Sequence, residues 1–378
     1  MRSRLLSNAR EALAALSSRK LSIECDRLPL EFERVARTKI LNWILVETSI
    51  RLGVARAWGW PTHLQVEASS LCNLQCTLCP VTDGLKRPTG NMSFDLFKRL
   101  IDEVGPYVFL VILWDWGEPF LNSSIYDMIA YAKRWGIKII SSTNGHLFAK
   151  GDHAERLVRS GLDSIIFSVD GLRQESYEKY RDGGDLATVL AGIRRVVAAK
   201  RALNSTTPLI DFRFIVMRHN EHEIPELRGF AQSLGVDALT LRTLNTYDFE
   251  DSCAGEAQGS KLLPTSSEYQ PFRLDSDDGS RIRRHVNPCK ALWNNPAIHA
   301  DGRVCTCTFD WHGRHILGDL NRETFRDIWW GAPYRRYRRR FRQDYRKLAL
   351  CRGCPCAFEG GSMGEERDVE VHFFAGET

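Results

Sequence analysis

Between residues 62 and 245 the chain repeats one pattern: a short apolar run, a loop, then an amphipathic stretch with helical spacing. The apolar runs are "HLQVEAS", "FLVILWDWGEP", "IKIISSTNG", "DSIIFSVDG", "LIDFRFIVM" and "DALTLRTL". Between them lie helical segments such as "SFDLFKRLIDEVG", with Ser93 as its N-cap, and "LATVLAGIRRVVAAKRAL". Continuous apolar strands alternating with amphipathic helices require a parallel sheet covered by helices. The expected fold is therefore α/β, a parallel sheet that is open or barrel-like, with its chemistry in the loops at the strand C-terminal ends.

The flanks read differently. Residues 1–61 are expected to form a helical extension, because Ile40, Leu41, Trp43, Ile44 and Leu45 recur at nearly helical spacing. Such a helix packs on the main domain, docks a partner, or lies on a membrane surface as a peripheral contact. Residues 246–285 are polar and rich in Gly, Ser and Asp, which reads as a linker with little regular structure. In 286–360 the pairs Asp301-Gly302 and His312-Gly313 mark hairpin turns, and 361–378 reads as a tail.

No run of eighteen apolar residues occurs, so no membrane span is expected. The opening "MRSRLLSNAR" has no apolar core of a secretory signal, and the expected location is cytoplasmic. There, eleven cysteines point to metal or redox chemistry rather than disulfides. A net charge of +5 is too mild to argue for nucleic acid. The basic stretch "YRRYRRRFRQDYRK", 334–347, reads as a solvated helix, with an anionic substrate or membrane surface as the alternative.

Cys72, Cys76 and Cys79 follow the first strand at spacing C-x3-C-x2-C, and the next cysteine is Cys253. Three thiolates suit a [4Fe–4S] cluster with one iron left open; a zinc ion completed by a distant cysteine is the alternative. This spacing resembles the signature of the radical S-adenosylmethionine (radical SAM) superfamily. The resemblance extends to "WGEP" at the second strand's end, "STNG" at the third and "SVDG" at the fourth. It implies a partial (β/α)6 TIM-like barrel in which S-adenosylmethionine chelates the open iron and is cleaved to a 5′-deoxyadenosyl radical that abstracts a substrate hydrogen. It further implies that Gly117, Glu118, Pro119, Thr143, Asn144, Ser168 and Asp170 meet the cofactor, and that Arg181 meets its carboxylate. An electron donor such as flavodoxin or ferredoxin follows from the same resemblance. Leu78 stands where many relatives carry an aromatic residue.

Cys289, Cys307, Cys351 and Cys354, with "DGRV", "LGDL" and "IWWG" between them, resemble the SPASM/twitch domains that bind auxiliary iron–sulfur clusters. The resemblance implies one auxiliary [4Fe–4S] cluster on these four, with a zinc knuckle as the alternative. Cys305 and Cys356 are bystanders or alternate ligands. Full thiolate ligation favours electron transfer. The substrate reading favoured here is oxidation or a related modification of a small molecule of sugar, aminocyclitol or nucleotide-sugar type. The alternatives are a peptide maturase, an epimerase with Cys253 as hydrogen donor, and a non-catalytic iron–sulfur carrier. The segment before residue 62 looks too short for a peptide-recognition domain, which weighs against the peptide.

Overall fold

The computed structural model describes residues 14–244, 261–270, 272–278, 280–361 and 369–374. Six of its strands carry the expected rhythm: β3 (His63–Val66), β4 (Leu110–Ile112), β5 (Lys138–Thr143), β6 (Ser164–Ser168), β7 (Leu209–Val216) and β8 (Ala238–Thr243). They pair in sequence order, and every pairing is parallel. The sheet is not closed into a barrel; β3 and β8 are each paired onward to strands from the C-terminal region.

The pleat of β4 shows how the sequence builds two layers. Val111 joins the core beneath the helices, whereas Leu110 and Ile112 face the opposite side. On the helical side, α2 (Phe94–Val104) buries Leu96, Phe97, Leu100, Ile101 and Val104, the one-sided spacing of an amphipathic helix. The Ser93 hydroxyl accepts from the Leu96 amide at 3.2 Å and so caps its first turn. Helices α3 (Ile125–Lys133), α4 (His153–Ser160), α5 (Leu186–Ala202) and α6 (Ile224–Leu234) continue the layer.

Three features depart from the sequence reading. The N-terminal region is not helical throughout: β1 (Leu21–Cys25) and β2 (Leu28–Phe32) form an antiparallel hairpin, and α1 (Arg37–Leu52) is the long helix there. Leu28, Leu30 and Phe32 are buried while Pro29 and Glu31 are exposed, a period of two that overrides the helical neighbourhood. Together with Ile40 of α1, this hairpin packs against Leu110, Ile112 and Ile140 on the face of the sheet opposite the α2–α6 layer. Second, the tail carries a strand that the sequence reading did not expect: β12 (Val369–Phe373) pairs antiparallel with β8. Third, the strands β9 (Ala297–Ile298), β10 (Arg303–Cys305) and β11 (Ile316–Asp319) form the hairpins expected at Asp301-Gly302 and His312-Gly313, but they also join the main sheet. β9 pairs parallel with β3 and extends the main sheet to ten strands.

The described part of the linker is irregular but docked. The Arg218 amide donates to Leu262 O, and Arg283 bridges to Phe358. Cys253 lies outside the described residues. The basic stretch is helix α7 (Ala332–Asp344), which buries Tyr334, Tyr337, Arg338 and Phe341 and leaves its other arginines exposed. No described helix is long and apolar enough to cross a membrane.

Candidate active site

The loop after β3 carries Cys72, Cys76 and Cys79, none of them in a disulfide. Its backbone is fastened from across the sheet. The Gln75 amide donates to Asp182 O and the Thr77 amide to Tyr180 O, both at 2.9 Å. The three thiols line one wall of a cavity of about 1510 Å³ above the strand ends. Burial pushes the Cys79 thiol up to about 11, and the neighbouring thiols Cys76 and Cys72 add to the shift. A cation or cluster removes that cost by holding the thiolates. Leu78 lines the same wall at φ 66°, a left-handed conformation rare for a branched side chain. A three-thiol donor set facing an open cavity fits a [4Fe–4S] cluster with one accessible iron; a structural zinc would need a fourth ligand.

The "WGEP" turn is pressed onto this loop. A Cβ on Gly117, at φ 100°, would stand 2.5 Å from Ser69 O, so only glycine allows the approach. The Glu118 amide donates to Leu71 O at 2.7 Å. The Glu118 carboxylate is buried, and both of its oxygens are engaged by the protein. Oε1 accepts from the Phe120 amide and Thr143 Oγ1, and Oε2 accepts from the Asn144 amide at 2.7 Å. Burial pushes it up to about 7 against the pull of those donors. It therefore braces the second strand end against the third. Pro119 opens the 3-10 turn that follows.

Thr143, Asn144 and Ser168 line the cavity; Asn144 Nδ2 donates to Asn73 Oδ1, and Ser168 Oγ lies 3.4 Å from Ser142 Oγ. Asp170 is fully buried and is not part of the cavity wall. It accepts from the Ile215 amide through Oδ1, and from Arg181 Nε at 2.5 Å through Oδ2. Arg181 does reach the cavity, with Nη1 3.7 Å from Cys76 Sγ. Of the residues expected to meet the cofactor, then, Asp170 orients another side chain rather than presenting its own.

The second cysteine group surrounds a small apolar cavity. Cys289, Cys307, Cys351 and Cys354 line it together with Tyr337, Phe341 and Leu350. Neither Cys305 nor Cys356 does. Cys305 is fully buried and its thiol donates to Cys307 O at 3.4 Å, whereas Cys356 faces the large cavity. Burial together with Cys351 and Cys289 pushes the Cys307 thiol far up, the signature of thiols gathered in an apolar space. Four converging thiols in that setting fit a fully ligated cluster. Cys289 and Cys307 line both cavities and so form their shared wall.

Sequence reasoning missed the ties between the two sites. Trp116 Nε1 donates to Thr308 O at 2.8 Å, beside Cys307, and its ring meets Trp311 edge-on at 5.4 Å. Arg87 is buried in an ion pair with Glu67 and donates to Trp311 O at 2.6 Å. Glu67 Oε2 accepts from the Ala300 amide at 2.9 Å. The bonds that join the two sites span 192 to 233 residues, so no local pattern announces them.

Residues 66–231 match the radical SAM superfamily, and residues 289–355 match SPASM, an iron–sulfur cluster-binding domain. The chain is 29% identical over 185 residues to the tungsten-containing aldehyde ferredoxin oxidoreductase cofactor-modifying protein of Pyrococcus furiosus, covering 48% of this chain and 51% of that one. It thus spans about half the length of this relative. It is 24% identical over 303 residues to the PqqA peptide cyclase of Granulibacter bethesdensis, covering 74% and 76%. Among solved structures it shares its fold with Streptococcus suis SuiB bound to its precursor peptide SuiA. The TM-score is 0.58 at 15% identity, covering 96% of this chain and 85% of that one. The two matched domains imply [4Fe–4S] clusters and S-adenosylmethionine as cofactors. The chain carries an N-terminal radical SAM domain and a C-terminal SPASM domain.

Proposed function

We propose that this radical SAM enzyme modifies a peptide. The observation that carries the reading is the cavity, which reaches from the three-cysteine loop to the wall formed by Cys289 and Cys307. A pocket for one drug-sized ligand occupies roughly 300–1,000 Å³. A volume of about 1510 Å³ accommodates a cofactor and a second, extended ligand together. The likeness to the PqqA peptide cyclase over three quarters of the chain supports a peptide in that second place. The oxidation of a sugar-like molecule, favoured from the sequence, draws no comparable support from these relatives.

In this reading Cys72, Cys76 and Cys79 hold the first cluster and Cys289, Cys307, Cys351 and Cys354 the second. Bound there, the first cluster with S-adenosylmethionine supplies a hydrogen-abstracting radical, and the second supplies a one-electron acceptor. The chain's own residues do the positioning. Arg181, aimed by Asp170, offers its guanidinium to the carboxylate of the cofactor. Glu118 and Gly117 hold the second strand end against the cysteine loop, so the cofactor's bed is fixed before it arrives. The wall containing Cys289 and Cys307 puts the auxiliary site beside the substrate.

The test is anaerobic turnover of the reconstituted enzyme with deuterated peptides encoded near its gene, in parallel with deuterated sugars and aminocyclitols. The reading expects deuterium in 5′-deoxyadenosine from a peptide alone, with a mass change in that peptide. Label arriving from a sugar or aminocyclitol and from no peptide would reverse it.

A further inference from the structure

The cavity contains a pair of arginines that cofactor binding does not use. Arg213 on β7 and Arg242 on β8 line it, with side chains only 8% and 16% exposed. Between them sits one carboxylate, that of Asp26. Arg213 Nη1 lies 2.7 Å from Asp26 Oδ2, and Arg242 Nη1 lies 3.2 Å from Oδ1, so each oxygen serves a different guanidinium. Asp211, held by Thr240 Oγ1 at 2.6 Å, also contacts Arg213. Two arginines and Asp211 leave one positive charge in excess, and in a buried setting that charge requires an anion.

Asp26 supplies the anion from a turn whose second residue is strained. It and Arg27 are the two residues joining β1 to β2, and both have positive φ, 53° and 60°. Such a turn is normally built from Asn, Asp and Gly; an arginine at its second position is strained. The hairpin is a separate two-stranded sheet, sharing no backbone pairing with the ten-stranded one. Two-stranded hairpins are only marginally stable by themselves. Glu24, Cys25 and Arg27 line the cavity beside Asp26, so the turn occupies space that a ligand entering from the strand ends would contest.

We propose that Arg213 and Arg242 form a subsite for a carboxylate of the substrate, from an acidic side chain or the C-terminus of a peptide, and that Asp26 occupies it until the substrate arrives. An incoming carboxylate makes the same two ion pairs without the strained turn. This inference rests on the peptide reading for the source of the carboxylate, and on nothing else in it.

Calorimetric titration of the reconstituted full-length protein with glutarate, inorganic phosphate and neutral glutaramide tests it. Occupancy of a site by an internal group lowers apparent affinity by the fraction of molecules in which the site is free. Asp26→Gly, which removes the carboxylate and suits the turn, and Asp26→Asn should each bind glutarate about tenfold or more tightly than the parent. Adding Arg213→Gln and Arg242→Gln should abolish the gain, and glutaramide should not bind. A gain in neither Asp26 variant, with iron content and melting temperature unchanged, overturns the subsite. Phosphate binding without glutarate binding overturns the carboxylate assignment. Because glutarate binding needs no turnover, its failure is distinct from failure of the peptide reading, which deuterium transfer decides.

Discussion

The two cysteine sites solve one problem in opposite ways. The first draws three thiols from a single eight-residue loop and leaves one side open to a large cavity. The second draws four thiols from three distant stretches of chain and closes them in an apolar pocket under Tyr337 and Phe341. An open site can exchange ligands at the metal; a closed one can exchange only electrons. The difference lies in where the supporting bonds come from. The first loop is held by backbone hydrogen bonds to residues 180 and 182, whereas the second depends on tertiary packing of 287–309 against 337–354.

Removing one site and keeping the other is the strongest way to break this comparison. Replacing Cys72, Cys76 and Cys79 together by Ala should abolish S-adenosylmethionine cleavage and remove about half of the iron of two [4Fe–4S] clusters. Iron analysis and chromatography of 5′-deoxyadenosine check both. Stoichiometric zinc on the remaining cysteines would contradict the closed cluster site.

The converse variant, Cys307→Ala, should also cost about half the iron, yet leave S-adenosylmethionine cleavage in place while product formation stops. If product still forms at the parental rate, the closed site takes no part in turnover.

A smaller effect sharpens the account of the open site. Asp170→Asn keeps the acceptor for the Ile215 amide but loses the ionic partner of Arg181. S-adenosylmethionine binding should weaken by about 1–3 kcal/mol, with both clusters assembled. Equilibrium dialysis against labelled cofactor measures it, and unchanged affinity would mean that Arg181 needs no orienting partner.

The smallest expected effect concerns the bystander thiols. Cys305→Ala should leave iron content unchanged and lower stability by about 1–2 kcal/mol through the lost buried sulfur. Loss of iron from this variant would place Cys305 among the ligands, contrary to its position outside the small cavity.

The same contrast explains what the sequence disclosed. The six strands were legible because each is a short apolar or alternating run between amphipathic helical stretches, and the open site because its three thiols and the segments "WGEP" and "STNG" are local. Asp170 was legible as a residue but not in its role, which depends on a contact with Arg181 that no spacing encodes. The hairpin β1–β2 escaped notice because its alternation is brief and its turn, Asp26-Arg27, lacks the usual Asn-Gly or Asp-Gly signal. Arg213 and Arg242 looked like ordinary strand residues, since only the assembled sheet brings them to one carboxylate. The pairing of β9 with β3 joins residues 65 and 297, and nothing near either position foretells it.

That pairing, with that of β12 on β8, bears on how the protein is made. The strands that cover both flanks of the six-stranded sheet are synthesised after all six of its own strands. After β8 leaves the ribosome, ~130 further residues must follow before β12 is complete, about 6–26 s at ordinary translation rates. Throughout that interval β8 presents unpaired backbone donors and acceptors, and β3 does so until β9 emerges. Nascent chains stalled between residues 244 and 297 should therefore be the most prone to sticking to one another. Chaperone capture during synthesis should be sought in that window.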